Sequence, residues 1–201
     1  MTNDCTLCGL HRGRTKIVYG VGSTGARLMA IGEAPGQLED LAGEPFVGPA
    51  GQLLNHLLGR AGLKRADLYI TNVVKCRPPG NRDPEPDEIA ACAPNLRAQI
   101  QVVNPKVIIT LGRFAASRMT LQWGSLSALL DQKLVYRPTL EYTPGKDGPS
   151  IPVIPQYHPA YLLRQIHAKS PDAKALLQDF IRRLETAKKI AESPTQLSFR
   201  I

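Results

Sequence analysis

Short continuous apolar runs alternate along this chain with longer stretches in which apolar residues recur at helical spacing. Arg27-Leu28-Met29-Ala30-Ile31 reads as a short buried strand, ended by the loop Gly32-Glu33-Ala34-Pro35-Gly36. Leu53, Leu54, Leu57, Leu58 and Ala61 predict an amphipathic helix over 50–61, closed by Gly62. The β-branched run from Leu68 to Val74 reads as a second strand, and Cys76-Arg77-Pro78-Pro79-Gly80-Asn81 must then be a loop. Pro86-Asp87-Glu88 opens a helix with proline in the first turn and carboxylates at the positive end of the dipole. Its apolar stripe is Ile89, Cys92, Leu96, Ile100 and Val103. Val107–Leu111 is a third strand, with a helix starting at Gly112, and Ile151–Pro155 is a last core strand that delivers Gln156-Tyr157-His158-Pro159. Residues 121–150 are irregular and Pro-rich. Leu176, Leu177, Phe180, Ile181 and Leu184 mark a C-terminal helix.

Strands alternating with helices predict an α/β fold, a three-layer α/β/α sandwich around a central, mainly parallel sheet. In such sheets ligands bind outside the carboxyl ends of the strands. The loops beginning at Gly32, Cys76, Gly112 and Tyr157 each follow a predicted strand, so they are expected to converge on one site. A length of 201 residues suits a single domain, drawn here as 1–190 with a C-terminal tail, 191–201. With 43% hydrophobic and 21% charged residues, the chain is neither disordered nor collagen-like nor a coiled coil. The net charge of +8 suits a polyanionic partner, nucleic acid ahead of an anionic membrane surface. No apolar run approaches the roughly 20 residues of a membrane span. The start Met1-Thr2-Asn3-Asp4-Cys5 lacks the features of a secretory signal, so a cytoplasmic protein is expected, a monomer by default.

A cytoplasmic chain keeps its thiols reduced, and its four cysteines then invite a metal reading. Cys5-x2-Cys8 can wrap one metal or one corner of a cluster, and Cys76 and Cys92 can close the ligand set from the body of the fold. Four thiolates suit structural zinc or an iron–sulfur cluster, and spacing alone does not separate the two. The bland alternative, a buried unligated thiol, applies most to Cys92 on its apolar stripe. Residues 28–59 carry four acids (Glu33, Glu39, Asp40, Glu44) and no Lys or Arg, whereas 60–82 carry six basic residues and only Asp67. A carboxylate beside a phosphate-binding strip weakens binding, so it is better explained by chemistry, such as orienting water or stabilising a cation. His158-Pro159, fixed in a turn at a strand end, could aim a donor at a developing anion. Leu162 or Leu163 could wedge into a base stack with Arg164 on the backbone, although the same residues also suit the first turn of a helix.

Gly32-Glu33-Ala34-Pro35-Gly36, Pro45-Phe46-Val47-Gly48, Ala50-Gly51-Gln52-Leu53-Leu54, Tyr69 to Pro79 and His158-Pro159 resemble the family 4 uracil-DNA glycosylases. The match runs from Cys5 to about Leu184 and is thinnest over 117–148. The resemblance implies a 4Fe-4S cluster on Cys5, Cys8, Cys76 and Cys92. It implies hydrolysis of the N-glycosidic bond of deoxyuridine in single- or double-stranded DNA, after the base is flipped from the stack. Uracil and an abasic site would be the products, as base excision repair requires. It also implies that Ala34, Phe46, Asn72 and His158 form the base pocket. Phe46 would stack on uracil, and the Asn72 amide would accept from N3–H and donate to O4, a pattern that cytosine reverses. His158 would donate to O2, and thymine would have to be rejected by shape. Glu33 and Glu39 carry over as pocket and water-orienting carboxylates, and Asn81 as a further catalytic residue. Lys75, Arg77 and Arg82 are expected to contact phosphates.

Two neighbouring readings are disfavoured by residues. A relative that traps DNA covalently through a histidine would carry a basic, His-containing insertion, but 117–135 contains no His. Family 5 enzymes usually lack an acid in the first motif, where this chain has Glu33. A superfamily member that only binds DNA, or acts on another deaminated base, is the alternative function. Binding alone would need none of Glu33, Asn72 and His158. Finally, Gln196-Leu197-Ser198-Phe199 is similar to short sliding-clamp-binding motifs.

Overall fold

The computed structural model of the chain describes residues 4–137 and 150–193. Strand β1 (Leu28–Gly32) is followed by a short helix α1 (Gln37–Ala42) and by α2 (Pro49–Arg60). Strand β2 (Leu68–Asn72) leads through the Cys76 loop into α3 (Pro86–Val103), β3 (Val107–Leu111) and α4 (Arg113–Thr120). Then come α5 (Leu126–Leu130), β4 (Leu134–Tyr136), β5 (Ile151–Gln156), α6 (Pro159–His167) and α7 (Ala173–Glu192). One sheet runs in the order β2-β1-β3-β5-β4, parallel except for β4, which pairs antiparallel with β5.

The apolar runs are continuous because both faces of the strands are covered. Leu28 and Ala30 of β1 pack with Leu54, Leu57 and Leu58 of α2, Leu162 of α6 and Phe180 and Leu184 of α7. Met29 and Ile31 turn the other way, onto Leu96 and Ile100 of α3 and Ala115, Ala116 and Met119 of α4. The three-layer α/β/α sandwich expected from the sequence is therefore what forms. β1 is central. The chain leaves it first toward β2 and later toward β3 and β5, which puts the topological switch at the carboxyl ends of β1 and β3, where such sheets bind ligands.

Several boundaries move. Val73 and Val74 lie beyond β2, where their N–H groups donate to Gly32 O (2.9 Å) and Glu33 O (3.1 Å), tying together the loops after β1 and β2. The acidic loop contains α1, with Glu39 and Asp40 in its first turn, where they complement the dipole. The irregular stretch after 121 holds α5 and β4. Helix α7 crosses the expected domain boundary and ends at Glu192. The tail motif 196–199 lies outside the described residues. Among those residues, no helix is long and apolar enough to cross a membrane.

Candidate active site

Asn72 closes β2, His158 precedes α6, and Phe46 lies in the turn before α2. Asn72 and Phe46 meet above Gly32, and His158 lies beside Phe46. A Cβ added at Gly32 would stand 2.4 Å from Asn72 Oδ1 and 2.6 Å from Phe46 Cζ. The Phe46 and His158 rings are 5.9 Å apart, tilted by 33°. Asn72 is 1% exposed, and its Oδ1 has no hydrogen-bond partner among the described residues. A buried acceptor left unpaired costs about 1–3 kcal/mol, so this atom is poised for a donor that a ligand brings.

Phe46 has a φ of 53°, a left-handed conformation that is strained for a bulky side chain. Its neighbours enforce it. Arg65 donates to Pro45 O (2.6 Å) and Phe46 O (3.2 Å), while Glu39 Oε1 accepts from Val47 N–H and Gly48 N–H, both at 2.9 Å. Helix α2 can approach because residue 51 is glycine, where a Cβ would overlap Phe46 O at 1.8 Å. Glu39 thus holds the turn that aims Phe46.

His158 is the N-cap of α6, and its Nδ1 accepts from Ala160 N–H at 3.1 Å. An N–H can only donate, so Nδ1 carries the lone pair and the ring proton sits on Nε2. Burial, followed by the charge of Arg164, pushes the imidazole down to about 4, against the opposing charge of Glu39. At neutral pH the ring is an uncharged donor. The chain passes close behind it at Gly112 (φ +99°), where a Cβ would lie 3.2 Å from His158 Cβ.

Glu33 is half-buried in the loop after β1. Burial, the charge of Asp83 and a hydrogen bond to Asp83 raise its carboxyl to about 7, and Arg113 opposes the rise. Ala34 beside it is half-buried and packs on the α3–α4 side. Asn81 is exposed, with a φ of 56° and its Oδ1 accepting from Arg77 Nε at 2.7 Å.

On the opposite face of the sheet, all four cysteines are free thiols and line one cavity of about 370 Å³, counting space open to solvent. Cys5 and Cys8 arrive there because the N-terminal arm is pinned. Buried Asp40 accepts from Thr15 N–H at 2.9 Å, Val18 N–H donates to Lys75 O (2.8 Å), and Val21 bridges Ile70 at the sheet edge. Arg14 donates to Cys5 O (2.7 Å) and Cys76 Sγ (3.4 Å), and Lys75 also lines the cavity. Burial pushes the Cys76 and Cys92 thiols up, while Arg14 and Lys75 respectively pull them back down. Four thiols lining one cavity beside Arg14 and Lys75 fit a four-cysteine group. Among the described residues, no three His, Cys, Asp or Glu side chains stand at the spacing of a single-ion site.

The family model of the uracil DNA glycosylase superfamily matches residues 19–182. The chain belongs to that superfamily. It is 47% identical over 160 residues to a type-4 uracil-DNA glycosylase of Thermotoga maritima, covering 80% of this chain and 78% of the relative. It is 44% identical over 164 residues to a type-4 uracil-DNA glycosylase of Archaeoglobus fulgidus, with the same coverage of each. To that of Saccharolobus solfataricus it is 44% identical over 181 residues, covering 88% and 78%.

In this member of the superfamily, two expectations about the DNA-facing residues need correction. Leu162 is 1% exposed and lies in the core against α2 and α7, because it follows the His158 cap by one turn on the inward face of α6. It cannot serve as a wedge. Leu163 is half-buried and Arg164 exposed. Lys75 is 2% exposed and faces the cysteine cavity, so it does not reach phosphate. Arg82 is engaged by Glu88 (2.6 Å) and Glu85 (3.3 Å). Reading the sequence missed Asp83, Arg113 and Arg65. Arg113 had a signal, since it directly follows the strand-end Gly112. Asp83 and Arg65 had none, because each acts on a residue far away along the chain.

Proposed function

We propose that the chain is a monofunctional uracil-DNA glycosylase, which binds uracil-containing DNA, flips the base and hydrolyses its N-glycosidic bond. The observation that carries the reading is the orphaned, buried Oδ1 of Asn72 beside Phe46 and His158. Uracil offers the missing donor at N3–H, while its O4 accepts from the Asn72 amide. Cytosine presents an acceptor at N3 and a donor at C4, and so leaves both amide groups unpaired, the kind of mismatch that buried polar sites reject most strongly. Phe46 supplies a stacking face, set in place by Arg65 and Glu39.

As the glycosidic bond breaks, the sugar gains positive charge and uracil leaves as an anion. His158 Nε2–H donates to O2 and stabilises that charge without transferring its proton, consistent with an imidazole neutral above about 4. Glu33, raised to about 7 by burial and by Asp83, is the carboxyl group that orients the attacking water. Glu39 Oε1 is already occupied by two backbone N–H groups, so its part is to position Phe46. Asn81 shapes the loop that brings Asp83 to Glu33. Leu163 and Arg164 face the DNA strand beside the flipped base.

Cys5, Cys8, Cys76 and Cys92 would hold a 4Fe-4S cluster, which supplies no electrons to a hydrolysis and ties the amino terminus to the 76–92 segment. The C-terminal 196–199 segment remains a proposed sliding-clamp contact. The function is tested with matched oligonucleotides carrying U, T or hypoxanthine, treated with alkali after incubation. Strand breakage at U alone is expected. No breakage at any base, from protein whose visible absorbance shows a cluster, would overturn the reading.

A further inference from the structure

One side chain connects the cysteine cavity to the base pocket. In β2, Ile70 turns its backbone N–H and C=O away from β1 and pairs them with Val21 (2.8 and 2.9 Å). Backbone direction repeats every second residue, so two positions on, the Asn72 carbonyl also faces outward, past the end of that bridge. Lys75 is its partner, with Nζ donating to Asn72 O at 2.5 Å and to Thr71 Oγ1 at 2.7 Å. Thr71 in turn donates to Tyr19 O, which also accepts from Gln99 Nε2 at 2.7 Å, so Lys75 Nζ is fixed from β2, α3 and the N-terminal arm. At its other end, the Lys75 backbone N–H donates to Cys92 Sγ, and Lys75 is followed directly by Cys76. A lysine that is 2% exposed, with no phosphate to meet and none of the catalytic chemistry assigned to it, needs another reason to be buried here.

We propose that Lys75 is a positioning residue for uracil recognition: anchored on Cys92, it holds the Asn72 carbonyl and thereby keeps the Asn72 amide in register with the base. The inference rests on the base-reading role of Asn72 given above. It makes the cysteine site part of the pocket's geometry, since any displacement of Cys92 is passed through Lys75 to the end of β2. An apolar side chain of the same length would fill the space but leave Asn72 O unpaired at the strand end.

The test uses full-length, iron-loaded protein and free uracil as the probe, with affinity read by calorimetry and excision kinetics measured in parallel. Lys75→Met is expected to weaken uracil binding about tenfold, the scale of one buried acceptor left unpaired, with iron content and visible absorbance unchanged. In an Asn72→Ala background, the same substitution is expected to add no further loss. Unchanged uracil affinity in Lys75→Met, or an equal loss in both backgrounds, would overturn the inference while leaving Asn72 as the reader. Unchanged affinity in Asn72→Ala would overturn the reading of Asn72 and the inference with it. Should Lys75→Met fail to retain iron, Thr71→Val decides the matter. It removes the hydroxyl that fixes Lys75 Nζ, and a loss of about threefold confined to the Asn72 background is expected, whereas no change would overturn the inference.

Discussion

Because Nδ1 of His158 is taken by the Ala160 N–H, the ring reaches the pocket as a neutral donor through Nε2. His158→Ala removes that donor and is expected to lower kcat by 10²–10³, equivalent to about 2.7–4 kcal/mol of barrier, in single-turnover assays on uracil-containing single strands. Turnover equal to wild type would end the anion-stabilising role. The same residue sets a pH signature. Its folded value of about 4 lies below the ordinary 6.5, so the folded state binds fewer protons than the unfolded chain. Stability from this group is complete above 6.5 and is lost as the pH falls toward 4. Glu33 runs the other way: its folded value of about 7 exceeds 4.5, so its contribution is complete below 4.5 and is lost as the pH rises through 7. Denaturant titrations at pH 7 and pH 4.5 isolate the histidine by difference. Wild type should lose roughly 2–3 kcal/mol more on acidification than His158→Asn does. Identical pH slopes would show that burial of the neutral ring is not what the fold maintains.

At the scale of elements, the turn 45–48 owes its shape to its neighbours. A phenylalanine in a left-handed conformation persists only where the surroundings over-determine it, and here Arg65, Glu39 and the bare surface of α2 at Gly51 do so. Gly51→Ala puts a methyl 1.8 Å from Phe46 O, a conflict with backbone that no rotamer relieves. It is expected to cost about 1–3 kcal/mol in thermal or denaturant unfolding and to lower kcat/KM, because α2 must retreat or Phe46 must turn. Ala at Gly59, where an added Cβ meets nothing within 4 Å, is the control and should be neutral. Which glycine met which carbonyl depended on how α2 lies against the sheet.

On the scale of the whole molecule, the sheet separates two sites and joins them through β2. Phe46, Asn72 and His158 lie on the α2–α6–α7 side, while the cysteines lie on the α3–α4 side. The N-terminal arm crosses the edge of β2 to bring Cys5 and Cys8 to Cys76 and Cys92. Cys92→Ser is expected to reduce iron content and visible absorbance, and to lower the thermal midpoint by loosening the arm and the start of α3 together. Iron content and thermal midpoint both matching wild type would remove Cys92 from the ligand set.

The sequence by itself determined the architecture and the location of the site. Alternating apolar runs and helical stripes could only be buried as a layered sheet, and that topology sends the loops after the strands to one end. His158 was legible there because a polar residue fixed by proline at the end of a buried strand stands out, whereas Asn72, inside the run read as Leu68 to Val74, was legible only through the family resemblance. Cys76 and Cys92 were legible as thiols in search of partners. What only the tertiary structure decided were pairings across distance and the direction of individual side chains. Glu33 meets Asp83 from another loop, and Arg65, read as part of a basic strip, is spent on two carbonyls of the Phe46 turn. Leu162 turns into the core although its neighbour Leu163 is the same residue type, since a step of about 100° around a helix separates the two side chains. Lys75 looks like a phosphate contact in a list of basic residues and becomes a buried link once β2, α3 and the N-terminal arm close around it. Composition and periodicity say which residues must be buried together. Long-range packing alone chooses the partner each one finds.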